Sequence, residues 1–542
     1  MGLFAVQIIH INKQTEEQMA KFIVDDSNHG DFSTIAEAVA AADDGDEIIV
    51  TGGDDNIHNE ANIAIDKKLK IESDDDGATI DGGGAGRIFT IDDGDANKLV
   101  DVEIKELTLT GGNSADLGGA ILNSEKLKIK ESTITGNTAQ VRGGGIYNQY
   151  GELKIEKSTV SNNTVVERSG GGISSITTGK VEIKETVIEN NSAGAGAGIA
   201  VAGGTTTDTG IRGEVKIEKS TISGNNSFVG GGIFVNYTEV EIKDSHITNN
   251  TAIVVAGGIL NNESILEIED TNITGNTVTA GSGGGILNAS VAGRTEIEDS
   301  NISNNSAGID GGGIFSEANT TLIVKETTFN NNSAVDDGGA IFTYDATLEL
   351  EKSTITNNSA TFGTVTSQLS DSVIKDNDFT DNSGFFGGAI VSGEDDSLLL
   401  DDNHFNNNTS VIGDSNVFII DVITLGTPGA ENLTGNAGDD FFNGLDGDDT
   451  IAGLEGDDII LGDAGNDSVT GGAGSDVFVL AAGAGTDTIA DFVDGEDFIS
   501  VSGGVSFNDL NLSGSEIGLN GETLAVLTGV DTTTLTSDDF LL

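Results

Sequence analysis

The sequence predicts an all-β chain: a right-handed parallel β-helix solenoid, followed by a parallel β-roll and a small C-terminal β region. Three observations carry this expectation. A phrase of alternating apolar and polar residues recurs about a dozen times between roughly residues 99 and 425, which is the signature of a solenoid. A nonapeptide recurs in register from 426 to 479. The composition, with 77 Gly, one Pro and no Cys or Trp in 542 residues, is unlike that of an ordinary globular enzyme.

A formal net charge of −64 makes the chain a poor partner for nucleic acid or anionic membranes. So many carboxylates with so few aromatics would by themselves read as disorder. The period-two placing of apolar residues in the repeats argues for strands instead. Without Cys there are no disulfide staples and no thiolate chemistry. No stretch approaches about 18 apolar residues, so no helical membrane span is expected. The opening MGLFAVQIIHINKQTEEQ lacks a basic region, a long apolar core and a small-residue cleavage site, so a cleaved secretory signal is not expected there.

Taken in order, residues 1–22 form an N-terminal segment whose structure the sequence does not decide. The β-helix is assigned to 23–425. FSTIAEAVAAADDG (32–45) places Phe32, Ile35 and Val39 on one face, offers a capping box from Thr34 to Glu37 and stops at Gly45. A short amphipathic helix over 32–44 follows, similar to the one that plugs the N-terminal end of pectin-lyase-like β-helices. Strands at Glu47–Thr51 and Lys68–Glu72, then TIDGGGAGRIFTI (79–91), begin the coils.

The repeat reads apolar-x-Ile-x-x-Ser/Thr-x-Ile/Phe-x-x-Asn, a variable stretch, then Gly-Gly-Gly/Ala-Ile, as in LKIKESTITGNTA (127–139) with GGGI (143–146). Its period varies from 24 to 34 residues. Leu127, Ile129 and Ile134 should point inward. Asn137, Asn163, Asn191, Asn225, Asn250, Asn276, Asn305, Asn332, Asn358, Asn382 and Asn408 should stack at one corner as an amide ladder, with Asn also tolerating the left-handed conformation of a tight corner. An outward row, Lys130, Glu156, Lys184, Glu218, Lys243, Glu269, Glu298, Lys325 and Glu351, alternates in sign over its first six members. Such a row fixes register and argues against a like-charged basic patch. GGAI (118–121, 387–390) with FTDN (379–382) and FNNN (405–408) resembles the repeats of chlamydial polymorphic outer-membrane proteins, a family of β-helix adhesins.

The nonapeptides are GTPGAENLT, GNAGDDFFN, GLDGDDTIA, GLEGDDIIL, GDAGNDSVT and GGAGSDVFV. Glycine opens each and recurs at the fourth place (Gly438, Gly447, Gly456, Gly465, Gly474), Asp440, Asp449, Asp458, Asp467 and Asp476 hold the sixth, and the eighth is always apolar. A turn followed by a short strand makes half a coil, so each carboxylate should face its equivalent two repeats on. Such oxygens suit calcium, a hard cation. The expected pairs are Asp440 with Asp458, Asp458 with Asp476, and Asp449 with Asp467; Glu431 departs from the pattern. This array resembles the RTX calcium-binding nonapeptides. The resemblance implies a calcium-binding roll over 426–480, those Asp and Gly residues as the metal site, and a bacterial extracellular or cell-surface location. It also implies type I secretion read from an uncleaved tail, here 481–542.

Two functional classes remain on the sequence alone. The first is a secreted structural or adhesive protein, folded by calcium after export and partnered by itself or by cell-surface polysaccharide. The second, favoured less, is a polysaccharide lyase or epimerase, since β-helices with RTX arrays resemble those enzymes. Lyase chemistry wants a cation, a base and an acid on one groove, whereas the five His and the arginines Arg87, Arg142, Arg168, Arg212 and Arg294 are spread along the chain. No catalytic residue is assigned.

Overall fold

The computed structural model describes residues 19–542 except 26, 28, 52–55, 75–76, 96–97, 178, 204–211, 291–292, 318, 394–396, 413–415, 421–422 and 503–504. Residues 1–18, most of the N-terminal segment of the sequence analysis, lie outside the described residues. About 3% of the described residues are helical.

A parallel β-solenoid of about fourteen turns forms the body. Each regular coil contributes four strands, for example Lys126–Lys130, Thr133–Thr135, Thr138–Ala139 and Ile146–Gln149. They stack into four sheets, called faces A, B, C and D in that order, of 15, 14, 12 and 14 strands. Successive coils pair in register on faces A, B and D, and on face C with a bulge between the strands Asn226–Val229 and Thr251–Val255. Leu127 lies on Leu153, then on Val181, Val215, Val240 and Leu266, and all six are buried. The apolar-polar alternation of the sequence thus becomes one continuous aliphatic column.

The corners are built from two stacked polar ladders. At the B–C corner each asparagine of the sequence-predicted row from Asn137 to Asn382 presents its Oδ1 to the coil before it and its Nδ2 to the asparagine of the coil after. Asn305 accepts from Asn276 N and Nδ2 at 2.9 and 3.0 Å, and donates to Asn332 Oδ1 at 3.0 Å and Ile273 O at 2.9 Å. The left-handed residue at this corner is not the ladder asparagine but its predecessor. Asn162, Asn190, Asn249 and Asn304 have φ of 54°, and Gly136, Gly224 and Gly275 fill the same place in other coils. The doublets Asn-Asn and Gly-Asn therefore divide two tasks, one residue bending the chain and the next bonding along the axis.

The A–B corner carries a second ladder, of hydroxyls, from Ser132 through Ser158, Thr186, Ser220, Ser245, Thr271, Ser300 and Thr327 to Ser353. Each Oγ donates to the carbonyl two residues back, as Ser245 does to Lys243 at 2.7 Å, and accepts an N–H from the preceding coil. Replacing Asn305 by Ala orphans partners on both sides in a buried corner, each costing about 1–3 kcal/mol. Urea unfolding of Asn305→Ala is expected to show a solenoid transition weakened by about 3 kcal/mol; an unchanged midpoint would contradict the ladder's role.

The helix α1 spans Ile35–Ala41 and lays Ile35, Ala38 and Val39 onto the first coils. Thr34 accepts from Glu37 N at 3.2 Å. The remaining N-terminal donors are met from a distance: the Glu60 carboxylate accepts from Ile35 N at 2.7 Å and Ala36 N at 3.2 Å. An anion there also suits the helix dipole.

On face A the predicted charge row is in register, from Glu72 and Lys105 through Lys130, Glu156, Lys184 and Glu218 to Lys375 and Asp401. Its ion pairs run both straight and diagonally: Lys184 meets Glu218 at 3.0 Å, whereas Lys325 meets Glu349, two residues off the row, at 3.0 Å.

The second body is a parallel roll of two sheets. One takes strands from Ile423–Leu425, Phe441–Asn443, Ile459–Leu461 and Val477–Leu480, and continues through Phe498–Val501 to Phe540–Leu541. The other takes Asn432–Thr434, Thr450–Glu455, Ser468–Ala473 and Asp487–Ile489, then an antiparallel hairpin from Leu510–Ser513, Glu516–Leu519 and Glu522–Leu527. The segment 481–542 therefore extends both sheets of the roll and shares its core, in which Phe442, Ile451, Ile460 and Phe478 meet Ile499, Leu524 and Phe540.

The outer surface of the first roll sheet packs against the side of the solenoid. Phe441, Ile459, Val477 and Val479 join Phe362, Phe386 and Val391 in one apolar cluster. Phe441 sits edge-on to Phe362 and Phe386, with ring centroids 5.0 and 5.2 Å apart.

Candidate metal centre

The roll's turns are lined by carboxylates that point inward. Asp440, Asp449, Asp458, Asp467 and Asp476 are all buried. Asp449 and the three after it each accept from the backbone of the equivalent residue two repeats earlier: Asp458 Oδ1 from Asp440 N at 2.8 Å, Asp476 Oδ1 from Asp458 N at 3.0 Å, and Asp467 Oδ1 from Asp449 N at 2.8 Å. The three expected pairs are thus neighbours in space.

The other oxygens carry the argument for a cation. Oδ2 of Asp449, Asp458, Asp467 and Asp476 is buried with no hydrogen-bond partner. A buried anion left so is costly unless a proton or a cation meets it. Burial is the main reason the Asp458 carboxyl rises to about 7 and that of Asp476 to about 6, with neighbouring aspartates adding to the rise. Asp467 rises for the same reason.

The opening glycines make room for these oxygens. A Cβ at Gly453, Gly462 or Gly471 would strike Oδ2 of Asp458, Asp467 or Asp476 in its own repeat. The fourth-place glycines serve differently. Gly456 (φ 113°) and Gly474 (φ 144°) bring backbone onto backbone, since a Cβ there would meet the carbonyl of Gly438 or Gly456. The predicted site glycines Gly438, Gly447, Gly456, Gly465 and Gly474 therefore stack close to one another's backbones, beside the aspartates. Unpartnered carboxylate oxygens beside backbone carbonyls in a tight turn are the hard donor set calcium takes.

The ends of the array depart from its middle. Glu431, in the sixth place of the first repeat, turns its carboxylate back to Thr427 N at 2.7 Å and to the Thr427 hydroxyl. Its backbone N still donates to Asp449 Oδ1 at 2.8 Å, so the fold persists where the inward acid is lost. At the far end the series continues. Asp487 Oδ1 accepts from Asp467 N at 3.1 Å and Asp497 Oδ1 from Asp476 N at 3.0 Å, and both residues are buried. Burial raises the Asp487 carboxyl to about 7 and lifts Asp497 above its ordinary range. The nine-residue register misses both because the spacing to them is 20 and 21 residues rather than 18.

Among its described residues the solenoid holds two acidic clusters of its own, Asp92 with Asp93 and Glu125, and Asp310 with Asp336 and Asp337; in each, the carboxylate oxygens lie within 4.8 Å of one another. Nothing in a chain with 89 acidic residues would single them out. Of the groups considered for lyase chemistry, Arg87 is spent on Leu117 O, Gly118 O, Thr90 Oγ1 and Ser114 Oγ. His246 and His404 stand exposed on face B.

Comparison with known proteins places these features. Residues 259–421 match the right-handed β-helix region. Residues 425–460, 443–478 and 453–489 match the RTX calcium-binding nonapeptide repeat. Residues 131–149 match the chlamydial polymorphic membrane protein repeat. No curated protein matches the chain. Among solved structures, the AlgE6R3 subunit of the Azotobacter vinelandii mannuronan C5-epimerase is 26% identical over 21% of this chain and 79% of its own, with a TM-score of 0.18. The chain thus carries RTX repeats, which bind calcium, on a parallel β-helix bearing a polymorphic membrane protein repeat. No helix among the described residues is long and apolar enough to cross a membrane.

Proposed function

We propose that this chain is a secreted bacterial structural or adhesive protein of the cell surface or its surroundings, exported by the type I route and folded by calcium outside the cell. Asp440, Asp449, Asp458, Asp467 and Asp476 would hold the metal, with Gly438, Gly447, Gly456, Gly465 and Gly474 supplying backbone; Asp487 and Asp497 extend the series. Calcium, when bound, supplies the positive charge that the buried oxygens lack. The observation that carries the reading is the set of buried, unpartnered Oδ2 atoms at Asp449, Asp458, Asp467 and Asp476.

The chain's own residues explain why the roll is ion-dependent. Vicinal acids such as Asp439 with Asp440 and Asp457 with Asp458 repel in a metal-free turn, and the fold pushes one of each pair into the interior. Binding free energy then becomes folding free energy. The solenoid, by contrast, is held by its aliphatic column and ladders and presents shallow, repeated polar surface suited to multivalent contact with itself or with surface polymers.

Circular dichroism of the full chain, joined with limited proteolysis, tests this. Adding calcium to chelator-treated protein is expected to increase β signal and to protect 426–542 from cleavage. Identical spectra and digestion patterns in both states would overturn the assignment.

Polysaccharide as partner has one observation of its own. A groove on face A is lined by Lys68, Lys70, Lys126, Lys128, Lys154 and Lys180 against Asp101, Glu103, Glu152 and Glu182. Charge alternates from Lys130 to Glu269 along the expected row, whereas these lysines come from neighbouring outward rows.

A further inference from the structure

We propose that face C is a self-association surface, through which two copies of this chain pack antiparallel about a twofold axis passing near Ile253. The inference rests on the scaffold reading above and names the surface by which one copy meets another.

Face C presents two outward rows. The first is Asn113, Thr138, Thr164, Ser192, Asn226, Thr251, Thr277, Ser306, Ser333, Ser359, Ser383 and Thr409, paired coil to coil. The second, two residues on, runs Ala115, Gln140, Val166, Gly194, Phe228, Ile253, Thr279, Gly308, Val335, Thr361, Phe385 and Val411. Neither row contains a charged residue, in a chain of net charge −64. The other faces all carry charge outward: lysines and glutamates on A, Glu189 and Asp378 on B, Glu317 on D. In the second row Val166, Phe228, Ile253, Val335 and Val411 are 46–66% exposed, and Ile309 beside it is 44% exposed.

Charge selects the occupant. Two strongly anionic copies repel wherever carboxylates meet; the two rows of face C carry none, and the acids at their edge, Glu167 beside Gln140 and Asp336 after Val335, are accompanied by Arg168. The far end of the row, at Phe385, already borders the cluster that holds the roll. The free stretch therefore runs from Gln140 to Thr361, nine coils that span about 43 Å at a strand spacing of about 4.8 Å. A strip about 15 Å wide then buries about 1,300 Å² over both copies, within the range of specific interfaces.

Ile253 is the middle of those nine positions. A twofold axis along the strands there sets apolar row on apolar row, with Val166 over Val335, Gly194 over Gly308, and Phe228 over Thr279 beside the space at Gly308. An axis along the solenoid midway between the two rows would instead set the apolar row on hydroxyls, burying less apolar surface. An isologous pair of this kind closes on itself.

Sedimentation velocity of the full chain in saturating calcium is expected to show a dimer. Ile253→Glu should weaken self-association by about 30-fold or more, as loss of a central anchor does, with an unchanged circular dichroism spectrum. The chain has no cysteine, so Ile253→Cys should form an interchain disulfide on mild oxidation while Thr221→Cys on face B does not. A wild type that stays monomeric at tens of micromolar would overturn the proposal. So would a dimer indifferent to Ile253→Glu, or equal cross-linking of the two cysteine variants. All samples are held at one calcium concentration, so failure here leaves the calcium-dependent fold to its own test.

Discussion

Asp458→Ala is expected to shift the calcium requirement of the roll more than a substitution at either end of the array. Asp458 belongs to two stacked pairs, accepting from Asp440 N through Oδ1 while its own N donates to Asp476 Oδ1. Its Oδ2 is one of the buried unpartnered oxygens, so the change removes a ligand from both neighbouring positions. A site held at 100 times its Kd contributes about 2.7 kcal/mol to folding, and weakening two of them should raise the calcium midpoint at least tenfold in a circular dichroism titration. Glu431→Ala is the comparison, because that carboxylate already faces Thr427; equal midpoints for the two variants would refute the assignment.

The same carboxylates set the pH dependence. In the metal-free roll the Asp458 carboxyl lies at about 7 and that of Asp476 at about 6, both above the ordinary 3.8. A raised carboxyl favours the folded state when protonated. Its contribution is fully present below about pH 4 and is lost as pH rises through 6 to 7. The metal-free roll should therefore be more stable at pH 5 than at pH 8, while calcium, which competes with those protons, should bind more weakly at pH 5. The wild-type titration repeated at both values checks the two signs together.

Much of this architecture was legible in residue order, and what escaped has physical reasons. Alternation placed Leu127, Ile129 and Ile134 in the core because a strand offers one buried face, and all three are buried. The asparagine row was legible because stacking demands the same amide in every coil. The hydroxyl ladder from Ser132 to Ser353 was equally periodic, but Ser and Thr suit so many exposed strand positions that periodicity did not reveal their burial. Glu60 as helix cap was hidden because it lies 25 residues from Ile35 in sequence. At the metal centre, the nine-residue spacing found the five central aspartates and lost Asp487 and Asp497, where two and three inserted residues break the count without breaking the stack. The clue to the covered side of the roll was present in the seventh place. It alternates Phe441, Thr450, Ile459, Ser468, Val477, so that one sheet is apolar outside and the other is not.

That alternation leads to the second large effect. Phe441 is 3% exposed, wedged edge-on between Phe362 and Phe386 of the solenoid. Phe441→Ala should cost the interface about 3–5 kcal/mol, the usual loss for a buried ring, while leaving the roll's own core, built on Phe442 and Phe478, intact. In the wild type, folding of the roll covers Phe386 and Val391, so calcium should stabilise the last coils of the solenoid as well as the roll. In Phe441→Ala that linkage should fade. Hydrogen exchange of 362–391 would slow on calcium addition in the wild type and change little in the variant, although both rolls still gain β signal. Equal calcium-induced protection of 362–391 in the two proteins would show that the coupling runs through the covalent connection between solenoid and roll rather than through the aromatic contact.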